Sequence, residues 1–177
     1  MKIFRYSKLT FYVISAILLF IFREFFVANL RWFIGGLMMM YGSLAILEIA
    51  LEKVKPIYDG HGFLFNLIEA ILGLVILVLI KEYATICVIW AVWSIFRESI
   101  ELREILARKL HTVLAIISFL ESIAVIVLSI LLMMEPGEHH ALIHSYLLCT
   151  ELVLTSSIPI LNSFMFKEKE NKDKTLE

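Results

Sequence analysis

Three glutamates stand inside long apolar runs, Glu69, Glu121 and Glu151, and the pair Arg97-Glu98 interrupts a fourth run. A carboxylate at such a position costs about 2.5 kcal/mol or more even on lenient insertion scales, so it turns to the protein interior and finds a partner there. At 1.5 Å per residue, Glu69 lies about 12 Å into its predicted helix, and Glu121 and Glu151 about 16 Å into theirs. Arg97 is the basic residue at comparable depth, so acids outnumber bases inside, an excess that favours the protonated form of some of them. Two chemistries fit this pattern. In one, Glu69, Glu121 and Glu151 carry a proton or another cation along a path or pocket, with Arg97 and Glu98 as a central ion pair. In the other, Arg97 pairs with Glu69 or Glu98, and protonated Glu121 and Glu151 hydrogen-bond across helices as structural glue. Glu48, Glu52, Glu101 and Glu104 fall at helix ends and read as snorkelling surface charges.

A second polar cluster, Glu135, Glu138, His139, His140 and His144, follows the fifth run. His140 and His144 are one helical turn apart and share a face, which suits a Zn²⁺ site or a pH sensor near the unperturbed His value of about 6.5. A polar turn with solvated histidines fits the same residues. His61 and His111 open the third and fifth predicted helices and read as interfacial anchors.

The elements that must position these groups follow from the composition. Of 177 residues, 60% are apolar and 19% charged, with a mean hydropathy of +0.88. A soluble domain has about 45 to 50% apolar and about 25% charged residues, so this is the composition of an all-α integral membrane protein. Apolar runs between charges predict six transmembrane helices, at 8–27, 31–53, 61–80, 83–107, 110–134 and 140–166. Turns fall at Lys53-Val54-Lys55-Pro56 with Asp59-Gly60, at Lys81-Glu82, at Arg108-Lys109 and at Glu135-Pro136-Gly137-Glu138. Residues 1–166 therefore form a single six-helix membrane domain, and the charged tail 167–177 reads as disordered and cytoplasmic. No segment between the runs is long enough to bury a core of its own, which argues against an extramembrane catalytic domain. The first apolar stretch lacks a small-residue cleavage site and reads as a retained helix.

With the N-terminus cytoplasmic, only Arg23, Arg31 and Lys81 of the 16 Lys and Arg fall on the far side. The positive-inside bias therefore puts both termini in the cytoplasm, in a multi-pass plasma-membrane protein whose immediate partner is the lipid bilayer. A net charge of −1 gives no basic stripe for nucleic acid. Cys87 and Cys149 have neither metal-ligand nor disulfide spacing. Gly35 and Gly42, two turns apart on one face, with Gly36 beside them, permit close helix approach, within the monomer or in a homo-oligomer. Met38 to Met40 read as filler, and Trp32 and Tyr83 as an aromatic belt at the outer interface.

Ile14-Ser15-Ala16-Ile17, Ile68-Glu69-Ala70-Ile71 and Leu120-Glu121-Ser122-Ile123 share a pattern at spacings of 54 and 52 residues, with a weaker echo at Ser43-Leu44, Ser99-Ile100 and Ser157-Ile158. They predict three tandem helical-hairpin repeats, 8–53, 61–107 and 110–166, about a threefold axis along the membrane normal. Three such hairpins, with Tyr41-Gly42-Ser43-Leu44 ending one even helix and Trp93-Ser94-Ile95-Phe96-Arg97-Glu98-Ser99-Ile100 ending the next, resemble the HdeD-like acid-resistance membrane proteins over about residues 8–166. The resemblance implies a non-enzymatic, stress- or acid-response component of a bacterial plasma membrane and no defined catalytic residues; the alternative is a small proton or cation transporter or channel using the buried glutamates. The sequence has no phosphate-binding glycine loop, paired-histidine zinc-protease motif or Gly-x-Ser-x-Gly elbow. No enzyme activity and no cofactor are therefore expected.

Overall fold

The computed structural model describes residues 2–52, 61–107, 112–134 and 136–156. Helices occupy Lys2–Ile21 (α1), Arg23–Ala28 (α2), Leu30–Glu52 (α3), His61–Val78 (α4), Tyr83–Ala107 (α5), Thr112–Met134 (α6) and Ala141–Ser156 (α7), with a 3₁₀ turn at Glu138–His140 before the last. The described residues contain no strand. The expected disordered tail, the far end of the sixth predicted helix, His111, and the turns at Lys53–Gly60 and Arg108-Lys109 lie outside the described residues, as do the side chains of Glu48, Glu52, Glu101, Glu104, His61 and Glu138.

The first helix departs from the expected single segment 8–27. It begins at Lys2, because Lys and Arg are good helix formers and the apolar count underestimates a helix that starts in water. It then breaks at Phe22 and again at Asn29. The second break has a local cause: Asn29 Nδ2 donates to Phe25 O at 2.9 Å, while its carbonyl accepts from the amides of Trp32 at 2.9 Å and Phe33 at 3.2 Å. One side chain thus closes α2, and the same residue's backbone opens α3.

Among the described residues, three helices are long and apolar enough to cross a membrane, over Leu30–Leu51, Tyr83–Ile100 and Ala115–Met134. Three shorter apolar stretches accompany them, Thr10–Ile21, Gly62–Val78 and Ala141–Ser156. The bundle buries its ionisable groups within an apolar core and exposes large apolar side chains. Phe20, Phe25, Leu79 and Met134 are each more than 60% exposed, whereas Glu69, Arg97, Glu98, Glu121, Glu151 and His144 are buried. Contiguous exposed apolar surface on this scale is foreign to a soluble monomer and suits contact with lipid.

The most extensive helix contacts are α3 with α4 and α5 with α6. Both join helices of different predicted hairpins, so among α1 to α6 the closest seams run between the expected units. Glycine makes the first seam. A Cβ on Gly42 would stand 2.6 Å from Asn66 O and 2.7 Å from Ala70 N, and one on Gly35 would stand 2.9 Å from Gly73 O. Gly36, by contrast, has open space beside it. Serine makes the second seam: the buried stripe Ser118, Ser122, Val125, Ser129 and Leu132 alternates steps of four and three along α6, the spacing that keeps small residues on one face.

Candidate functional site

Arg97 sits ten residues before the end of α5 and Glu151 ten residues after the start of α7, each about 15 Å along its helix. Glu69 is eight residues into α4, about 12 Å in. Three elements thus deliver ionisable groups to one level near the middle of the bundle.

The guanidinium of Arg97 organises that level. Its Nη1 donates to Tyr12 Oη at 3.1 Å and its Nη2 to Thr155 Oγ1 at 3.2 Å. Nη2 also lies 3.5 Å from Glu98 Oε1. Tyr12 comes from α1, and its ring, 5.9 Å below the guanidinium carbon, lies 4.5 Å from the ring of Tyr41 on α3. Glu69 and Glu151 are near enough to act on Arg97 electrostatically. Glu151 Oε2 accepts a hydrogen bond from Trp90 Nε1 at 3.0 Å, one and two turns outward along α5 from Ser94 and Arg97 respectively, and Ser94 adjoins the same carboxylate.

Residues 97 and 98 diverge by about 100° on a helix, so both can be buried only where neighbours cover α5 over a wide arc. Here α1 and α7 meet Arg97 and α6 packs along α5, and Arg97 and Glu98 are 6% and 0% exposed. Both Glu98 oxygens and Arg97 Nε have no hydrogen-bond partner among the described residues. Such groups normally find partners when buried, so the centre is polar beyond what its own side chains satisfy.

Glu121 is buried on α6, nine residues from the helix start, while Glu98 is nine residues from the end of the preceding helix. The two therefore share a depth on adjacent antiparallel helices. Tyr12, Trp90, Ser94 and Thr155 are members of the centre that the sequence did not single out. A tyrosine, tryptophan or hydroxyl in an apolar run reads as ordinary filler, and only the carboxylates and Arg97 carried a signal.

The histidines separate. His139 is exposed, His140 half-buried and His144 buried. The rings of His140 and His144 are 6.3 Å apart. His144 Nδ1 shares a hydrogen with Tyr83 Oη across 3.1 Å, with the two rings stacked at 5.8 Å. Tyr83 is therefore not a belt residue but the buried partner of His144, and His144 is not a solvated turn residue. No group of three metal-donor side chains occurs among the described residues, so the zinc alternative finds no donor set there.

Compared with known protein families, curated proteins and solved structures, the chain matches none of them. Function is therefore argued from the chain's own geometry.

Proposed function

We propose that the chain is a six-crossing, non-enzymatic integral membrane protein of a bacterial plasma membrane, with both termini cytoplasmic, and that it answers acid or related stress by exchanging protons at the Arg97 centre. The six crossings are three tandem hairpin repeats, and the role is the one implied by the resemblance to HdeD-like proteins. One observation carries the proposal: among the described residues a single buried guanidinium lies within electrostatic reach of three buried carboxyl groups, Glu69, Glu98 and Glu151. Charge balance in a medium of low dielectric then calls for further positive charge, which a proton on a carboxyl supplies. Acidification would load the centre and change how α5 and α7 are held together.

Infrared difference spectra of the reconstituted protein test this. On acidification from neutral pH, wild type should gain a carboxylic-acid band that shrinks in Glu151→Gln. Identical spectra for wild type and the variant would sink the proposal. The topology has its own check. With Cys87 and Cys149 replaced, a cysteine at position 139 should label from outside, and one at position 171 only after permeabilisation; labelling of 171 in intact cells would invert the protein.

The second reading, a small proton or cation transporter, is favoured by the common depth of Glu98 and Glu121 on adjacent helices, which extends the carboxyl groups beyond Arg97. It requires proton flux into liposomes that collapses in Glu121→Gln, Glu69→Gln or Glu151→Gln while folding survives. An amide keeps the shape and hydrogen-bonding capacity but cannot titrate. Absence of flux from wild type would leave proton exchange without transport.

A further inference from the structure

At the end of the bundle where α3, α5 and α7 begin, a cavity of about 550 Å³ opens among Asn29, Arg31, Trp32, Lys81, Tyr83 and Ala141. Two of these are cationic. The Arg31 guanidinium lies 4.8 Å over the Trp32 ring, which fixes its position at the rim. Lys81 lines the cavity too, and the carboxylate of the adjacent Glu82 is engaged by Thr85 Oγ1 at 2.6 Å. Leu30 and Tyr83, the first residues of α3 and α5, line the same space and present partially positive helix ends, while Ala28 brings the partially negative end of α2. The two full charges on the lining, Arg31 and Lys81, are both positive.

A second cavity, about 330 Å³, shares Asn29 and Trp32 with the first. It is apolar and follows α3 past Gly36 and Leu37 to Met40, with Phe11 and Leu18 of α1 opposite. Gly36 borders its open space, where a Cβ would meet nothing within 4 Å. From Asn29 to Met40 the groove extends about 16 Å along the helix, close to half of a hydrocarbon core about 30 Å thick. A positive cavity at the interface thus continues into an apolar groove one leaflet deep.

We propose that these joined cavities form a binding site for an anionic glycerophospholipid, with the headgroup phosphate between Arg31 and Lys81 and one acyl chain along Gly36. The site rests on the chain being embedded in a bilayer but not on proton exchange at Arg97, so Glu151→Gln should bind lipid as wild type does.

Native mass spectrometry of the full chain in detergent, with phosphatidylglycerol or phosphatidylcholine added, tests it. Phosphatidylglycerol should be retained and phosphatidylcholine lost. A cation near an anionic headgroup contributes about fivefold in affinity, so R31Q and K81Q should each weaken retention by about that factor. G36F should fill the groove and displace the lipid, whereas G36A should retain it. In a parallel thermal-shift arm, inorganic phosphate should stabilise far less than phosphatidylglycerol. Equal retention of the two lipids, or retention unchanged in both R31Q and K81Q, overturns the site whether or not G36F accumulates. Stabilisation by phosphate equal to that by lipid overturns the lipid assignment in favour of a free anion.

Discussion

The α3–α4 seam and the Arg97 centre hold helices together in opposite ways. At the seam, Gly35, Gly42 and Gly73 remove side chains so that backbone meets backbone. At the centre, Arg97 reaches out with a long side chain to Tyr12 and Thr155 on two other helices. Lipid tails are as apolar as leucine, so burial of apolar surface gives helices in a bilayer no reason to associate. Close van der Waals contact and polar bonding remain, and this chain uses one in each place. The seam depends on atoms being absent, and the centre on every partner being present.

Removal of the hub should have the largest effect. Arg97→Ala strands Glu98 and its neighbours without a counter-charge, and breaking a buried pair by removing one member costs about 3 to 5 kcal/mol. Thermal unfolding in detergent should show that loss, with Glu98→Gln recovering part of it. An unchanged midpoint would mean that the centre does not bind the helices together.

Next comes the seam. Gly42→Leu presses a side chain onto Asn66 O and Ala70 N, backbone atoms that cannot turn aside, and overpacking of this kind costs about 1 to 3 kcal/mol. Cysteine cross-linking between α3 and α4 should weaken in parallel. Retained stability with full cross-linking would erase the contrast between the two regions.

Tyr83→Phe removes the hydroxyl that bonds His144 and also meets the Cys87 thiol, at a cost of about 1 kcal/mol. Chemical denaturation of the reconstituted protein should resolve it, and a loss as large as that of Arg97→Ala would show that the outer pair is a second hub. Smallest of all should be Gly36→Ala, which lies off the seam. It should raise stability by about 0.5 kcal/mol, because the half-buried position has room for a Cβ and alanine loses less backbone entropy than glycine in a helix.

The same contrast explains what could be read in advance. Glu69, Glu121, Glu151 and Arg97 are conspicuous in apolar sequence because a charge in hydrocarbon demands an interior place, and all four are buried. Gly35 and Gly42 are legible as a stripe, but Gly73, their counterpart on α4, drew no attention, because the other glycine of that helix, Gly62, is three turns away at its start. Tyr12 and Trp90 were illegible, since their hydrogen bonds depend on which helix is neighbour to which. Tyr83 misled because a tyrosine at a helix start resembles an interfacial anchor until His144 is brought 61 residues across to meet it. The break at Phe22 has no glycine or proline to announce it.

The order in which the partners of Arg97 are synthesised is itself informative. Tyr12 and Glu69 precede it in the chain and Glu98 follows at once, but Glu151 arrives 54 residues later and Thr155 58 residues later. At about 5 to 20 residues per second, the nascent protein must hold this arginine for several seconds before α7 exists. Glu69 and Glu98 are the charges at hand to chaperone it in that interval. A ribosome-arrested chain ending near residue 134 should therefore cross-link α5 to α4, and only a longer chain should cross-link α5 to α7.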